Sequence, residues 1–73
     1  MKLTVDPAAD ALYLTLGDAE IADSEQVAPG VVLDYDVHDN VVGVELLNIS
    51  KRARKEDLQR LVFETLSHKA AVI

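Results

Sequence analysis

The stretch VVLDYDVHDNVVGVELLNIS, residues 31–50, decides the fold. Val31, Leu33 and Tyr35 alternate with Val32, Asp34 and Asp36. A polar turn follows, Val37-His38-Asp39-Asn40, and then Val42, Val44 and Leu46 recur at the same period of two. That is the pattern of a half-buried β-hairpin. A turn centred on His38-Asp39 sets Tyr35 opposite Val42, Leu33 opposite Val44 and Val31 opposite Leu46, so that one face is apolar throughout. On the other face Asp34 falls opposite Gly43, and Val32 opposite Glu45. A slip of one residue would turn Leu33 and Val44 to water, so burial enforces the register.

Working outward, KLTVDPAADALYLTLGD (residues 2–18) reads as a first hairpin. Leu3 and Val5 alternate in one strand, and Leu12, Leu14 and Leu16 in the next. Pro7 has no amide to give a ladder and ends the first strand. Asp6 is placed to accept amides in an Asx turn. A short helix over Pro7–Leu14 is the competing reading, but Tyr13 and Thr15 interleave with three leucines at period two. After the polar turn Gly17–Glu20, Ile21–Ala28 has the composition of a solvated edge strand. Pro29-Gly30 predicts a type II turn. Because such turns splay a tight hairpin, the partner of this strand is left open. After Leu46 the alternation changes parity, which predicts a bulge near Leu46-Leu47 or burial on both faces.

Ser50 is placed as a helix N-cap. From Arg54 to Leu66 the apolar period lengthens to that of a helix, with Leu58, Leu61, Val62 and Leu66 in one stripe. Glu56, Arg60 and Glu64 stand four apart on its wet side, spaced for ion pairs. The expected fold is therefore α+β, an antiparallel sheet of four to five short strands from two hairpins, with one C-terminal amphipathic helix packed on one face. The expected core is Leu3, Val5, Leu12, Leu14, Leu16, Val31, Leu33, Tyr35, Val42, Val44, Leu46, Leu58, Leu61, Val62 and Leu66. Residues 67–73 are unassigned, with Ala70–Ile73 either frayed or adding a last strand.

Residues 1–73 read as one small domain without cysteine, so neither a disulfide nor a thiolate zinc site reinforces it. A chain of this size buries only about 60–65% of its unfolded surface, which points to a homodimer. Residues 1–50 hold ten acidic side chains and one basic, a charge of −9, whereas residues 51–73 hold six basic and three acidic, a charge of +3. The acidic body repels nucleic-acid phosphates. No signal-peptide pattern and no membrane-length apolar run are visible, and a cytoplasmic location is the expectation.

Three consecutive blocks, DPAADALYLTL, QVAPGVVLDYD and VVGVELLNISKR, resemble the domain of unknown function 2283 family, over about residues 1–52. The resemblance implies a small prokaryotic α+β protein with no established enzymatic activity, and it brings no catalytic residues with it. Where the family carries a glycine-containing turn, this chain has His38-Asp39-Asn40, in which Asn40 can supply the positive φ.

Three groups of residues are candidates for chemistry. Asp34, Asp36 and Asp39, two on one strand face and one in the turn, are oxygen donors that suit a hard divalent cation; as ordinary acids they form a solvated face. His38 would be an added ligand. Asp6 and Asp10 flank a turn, either as an acid/base pair or as turn acceptors. Lys51, Arg52, Arg54 and Lys55 crowd a helix start, where the macrodipole prefers anions. They call for compensation by Glu45 or the Asp34/Asp36 face, or by an external anion or partner. No nucleophile elbow, catalytic triad or phosphate-binding glycine loop is present, and no cofactor is implied. These features point to a non-catalytic protein-interaction module, antitoxin-like in one form, that binds a basic protein. A metal- or small-ligand-binding protein using the three aspartates is the alternative.

Overall fold

The computed structural model describes residues 1–67. Its strands are β1 (Lys2–Asp6), β2 (Ala11–Thr15), β3 (Asp23–Ala28), β4 (Val31–Tyr35) and β5 (Val41–Leu47). A 3-10 turn at Ile49–Lys51 and a single-turn helix, α1 (Lys55–Leu58), follow. The strands form one antiparallel sheet in the order β1-β2-β5-β4-β3. The possible strand Ala70–Ile73 lies outside the described residues. Among those described, no helix is long and apolar enough to cross a membrane.

The β4–β5 pairing takes the expected register at Val31↔Leu46, Val32↔Glu45, Leu33↔Val44 and Asp34↔Gly43. It departs at Tyr35, which pairs with Val41 rather than Val42, because the register shifts between Asp34 and Tyr35. The cause is the loop. The Asp36 amide donates to the Asn40 carbonyl at 3.0 Å and the Asp39 amide to the Asp36 carbonyl at 3.2 Å. Asp39, not Asn40, takes the positive φ, at 62°. This is a three-residue connection, a type I turn followed by a left-handed residue.

β3 pairs directly with β4 across Pro29-Gly30. Gly30 has the positive φ, 72°, that the second central position of a type II turn requires. A register shift between Gln26 and Ala28 absorbs the splay. At the end of β5, Leu46 and Leu47 continue the ladder to β2 without a break. Both are half-buried, on opposite faces, so burial on both faces, not a bulge, explains the changed parity.

Two expectations fail in the C-terminal part. The helix spans Lys55–Leu58, not Arg54–Leu66, so the pairs at Glu56–Arg60 and Arg60–Glu64 have no helix to align them. Ser50 lies within the 3-10 turn, and its hydroxyl is bound elsewhere. The core is also thinner than expected. Among the described residues the buried apolar ones are Ala11 and Ile49, and no large side chain is fully buried. The aliphatic residues of the sheet are mostly half-buried, because no helix among the described residues lies across them.

Candidate interaction surface

The two faces of the sheet differ in chemistry. On the polar face Asp34 is only 4% exposed, against the expectation of a solvated carboxylate. Its seat is Gly43 on the neighbouring strand, where an added Cβ would stand 2.9 Å from Asp34 Oδ2. The Ser24 hydroxyl donates to Asp34 Oδ1 at 2.7 Å. Glu45, one pair further along, hydrogen-bonds Asp34. That contact, with burial and the Asp34 charge, raises its carboxyl above the ordinary 4.5.

The three candidate metal ligands are not brought together. Asp34 is committed to Ser24 and Glu45. Asp36 caps the β4–β5 loop, accepting the His38 amide at 2.8 Å, the Asn40 amide at 3.0 Å and the Asn40 side-chain amide at 3.2 Å. The Asn40 amide, foremost among these donors, holds the Asp36 carboxyl below its usual range. Asp39 is the left-handed residue of the loop. Among the described residues no group of three or more His, Cys, Asp or Glu side chains is placed to hold a metal ion.

Asp6 and Asp10 act in turns. Asp6 Oδ1 accepts the amides of Ala8 at 3.0 Å and Ala9 at 3.2 Å. Asp10, with φ 52°, reaches forty residues along the chain. Its carboxylate accepts the Ser50 amide at 3.0 Å and the Ser50 hydroxyl at 2.8 Å, and its carbonyl accepts the Ile49 amide at 2.9 Å. This clasp ties the β1–β2 turn to the exit from β5. The sequence reading missed it, although Asp10 and Ser50 both fall within the blocks that carry the family resemblance.

The four cations separate. Arg52 latches backbone, donating from Nη2 to the Pro29 carbonyl at 2.6 Å and from Nε to the Leu47 carbonyl at 3.2 Å. Arg54 pairs with Asp57, Nε to Oδ2, at 3.1 Å, and Asp57 also accepts the Arg54 amide at 3.2 Å, closing the first turn of α1. The Arg54 guanidinium holds the Asp57 carboxyl below its usual range. Neither arginine meets Glu45 or the Asp34/Asp36 face. Arg54–Asp57 is the one ion pair among the described residues.

The other face carries two apolar rows that cross the strands. One runs Leu3, Leu14, Val44, Leu33 and ends on β3 at Glu25. The second runs Val5, Leu12, Leu46, Val31 and ends at Ala28. Next to the first row, Asp23 pairs with Tyr35. Two concavities border the β1 side. A cavity of about 350 Å³ is lined by Val5, Ile49, Ala53 and Leu58, with Asp10, Ser50 and Lys55 at its polar end. A smaller one lies among Met1, Leu3, Leu14 and Phe63. Beyond α1, Leu61, Val62, Phe63 and Leu66 are 68–71% exposed. A soluble protein normally shows such apolar area in one place only where something binds.

The family model described as "Protein of unknown function (DUF2283)" matches residues 2–50. That span takes in all five strands and the Asp10–Ser50 clasp, and the chain belongs to this family. No curated protein and no solved structure matches the chain.

Proposed function

We propose that this member of the DUF2283 family is a non-catalytic protein-interaction module that binds its partner through the apolar face of the sheet. The observation that carries the reading is that face itself. It spans five strands, yet its aliphatic side chains are left half-buried, and no large side chain among the described residues is fully buried. Covering it would supply roughly 25 cal/mol for each Å² of apolar surface removed from water.

The excess of nine negative charges over residues 1–50 selects a partner whose contact patch is apolar and flanked by cations. A basic protein held by a small acidic one, as in an antitoxin-like role, is one form of this. Lys51 and Lys55 remain as local positive charges and carry no aromatic neighbours for stacking bases, which favours protein over nucleic acid.

The test compares the native chain with Leu3→Glu, which places a charge on the apolar face at an edge strand. Both are immobilised and exposed to extract from the source cells. Capture of a protein by the native chain and not by the variant supports the reading, provided the variant keeps its far-ultraviolet dichroism. Equal capture by both removes it, as does capture by neither when the native chain is a monomer by light scattering.

A further inference from the structure

An apolar stripe that opens on a cation, Arg60, and carries one anion, Glu64, is present in the chain itself. Arg60-Leu61-Val62-Phe63-Glu64-Thr65-Leu66 continues the helical stripe begun by Leu58. The helix nevertheless ends at Leu58. Nothing in the sequence stops it there, since residues 59–67 contain neither proline nor glycine. Its start is already closed by Asp57, which accepts the Arg54 amide. A helix with a formed first turn and no breaker stops for want of something to pack on, because isolated helices shorter than about 12–15 residues are marginal in water.

We infer that the apolar sheet face docks a second copy of this chain. In the two-fold dimer the segment Gln59–Leu66 of each copy lies against the partner's sheet and completes its helix there. The inference rests on the interaction-module reading. Three observations choose the occupant and its orientation.

The first is area. Five strands about 4.8 Å apart and five residues long present a face of about 400 Å², half of the roughly 800 Å² per partner that a stable interface uses. The four exposed side chains of residues 61–66 add on the order of 100 Å² each, which closes the gap.

The second is charge. At its β3 edge the apolar face carries two carboxylates, Glu25 at the end of the first row and Asp23 beside it opposite Tyr35. The segment that opens on Arg60 leaves its own sheet at the opposite edge, where Phe63 lies beside Met1, Leu3 and Leu14. It stands about 19 Å across the strands from those carboxylates.

The third is symmetry. A two-fold axis parallel to the strands sets β1 of one copy over β3 of the other, bringing Arg60 to the partner's Glu25 twice over. The other face-to-face arrangement sets β1 over β1 and leaves Arg60 a full sheet width from the partner's Glu25. The charges select the first. Its axis runs past β5, the central strand, so that Val44 faces its own symmetry mate.

The chain has no cysteine, so one introduced at the axis reports contact directly. We expect the native protein to have twice its 8.0 kDa chain mass by light scattering at micromolar concentration. Facing sheets stand about 10 Å apart, too far for a disulfide. Val44→Cys should therefore be joined to its mate by a bismaleimide of about 10 Å span, whereas Val32→Cys, on the polar face, should not. Arg60→Glu should weaken association about fivefold, and Arg60→Glu combined with Glu25→Lys should restore it. Both charged positions are exposed, so neither change threatens the fold. The helical dichroism signal should rise with protein concentration.

A monomer mass overturns the inference. If that monomer still captures a protein that Leu3→Glu loses, the interaction-module reading survives alone; if it does not, both fall. A dimer in which Val32→Cys crosslinks as well as Val44→Cys, or in which the charge swap restores nothing, overturns the proposed arrangement.

Discussion

Asp34 is buried because Gly43 has no side chain. In the row Ser24–Asp34–Gly43, the glycine leaves room for the carboxylate and the serine hydroxyl satisfies it at 2.7 Å. A methyl at position 43 would stand 2.9 Å from Asp34 Oδ2 and 3.3 Å from the Leu14 carbonyl. Gly43→Ala is therefore expected to lower stability by about 1–3 kcal/mol, measured by urea denaturation. In an Asp34→Ala background the same change should cost much less, so the pair should show a coupling energy in a double-mutant cycle. Glu45 gives a prediction in pH. Its hydrogen bond to Asp34 raises the folded-state carboxyl above 4.5, so the folded state holds the proton longer than the unfolded one. The stability this contributes is full below about pH 4.5 and is lost as pH rises through the raised value. Asp36 and Asp57 act in the opposite sense and lower down. Their carboxyls are held below 3.8, so their contribution is lost only as pH falls through that range. Glu45→Gln, which cannot ionise, should remove the decline above pH 4.5. Melting curves of both proteins between pH 4 and 7 read this directly, and parallel profiles would refute the raised Glu45 carboxyl.

At the scale of the elements, the molecule is held by clasps more than by a core. Arg52 joins the β3–β4 turn to the end of β5 through the carbonyls of Pro29 and Leu47. Gly30 must be glycine twice over. Its φ is 72°, and an added Cβ would meet Arg52 Nη2 at 2.9 Å and the Leu47 carbonyl at 3.2 Å. Arg52→Ala is expected to cost about 1 kcal/mol, and Gly30→Ala more, about 2 kcal/mol, since it combines strain with displacement of the latch. Thermal unfolding of the two variants ranks them, and a Gly30→Ala protein as stable as the native one would contradict the argument. The legibility of the sequence follows the same division. The β4–β5 register could be read because a slip exposes Leu33 and Val44, and the first hairpin because Pro7 marks its turn. The tail could not, because helical periodicity states which face is apolar but not whether anything within the chain covers it. The seat of Asp34 was half visible, since the expected register already set it opposite Gly43. The missing element was Ser24, because a type II turn left the partner of β3 undecided. The Asp10–Ser50 clasp joins residues forty apart, and no periodicity reports such a contact.

At the scale of the whole molecule, the acidic body raises the question of divalent cations. A chain of net charge −6 attracts them as diffuse counterions whatever its fold, and ionic strength screens that attraction. A built site behaves differently. An ion that binds only the folded chain raises stability by RT ln(1 + [L]/Kd), about 2.7 kcal/mol at a hundredfold excess over Kd. The structure gives Asp34 to Ser24, Asp36 to the loop amides and Asp39 to a left-handed turn position, so a cation would have to break these bonds before it gained its ligands. Millimolar calcium, magnesium or manganese should therefore shift the melting temperature no further than sodium chloride of equal ionic strength. The matched salt is the necessary control, because screening the body's self-repulsion stabilises the fold by itself. A rise specific to one divalent ion, abolished by Asp36→Asn, would show that the carboxylates rearrange around a metal. It would also move the functional reading from protein binding to ion binding.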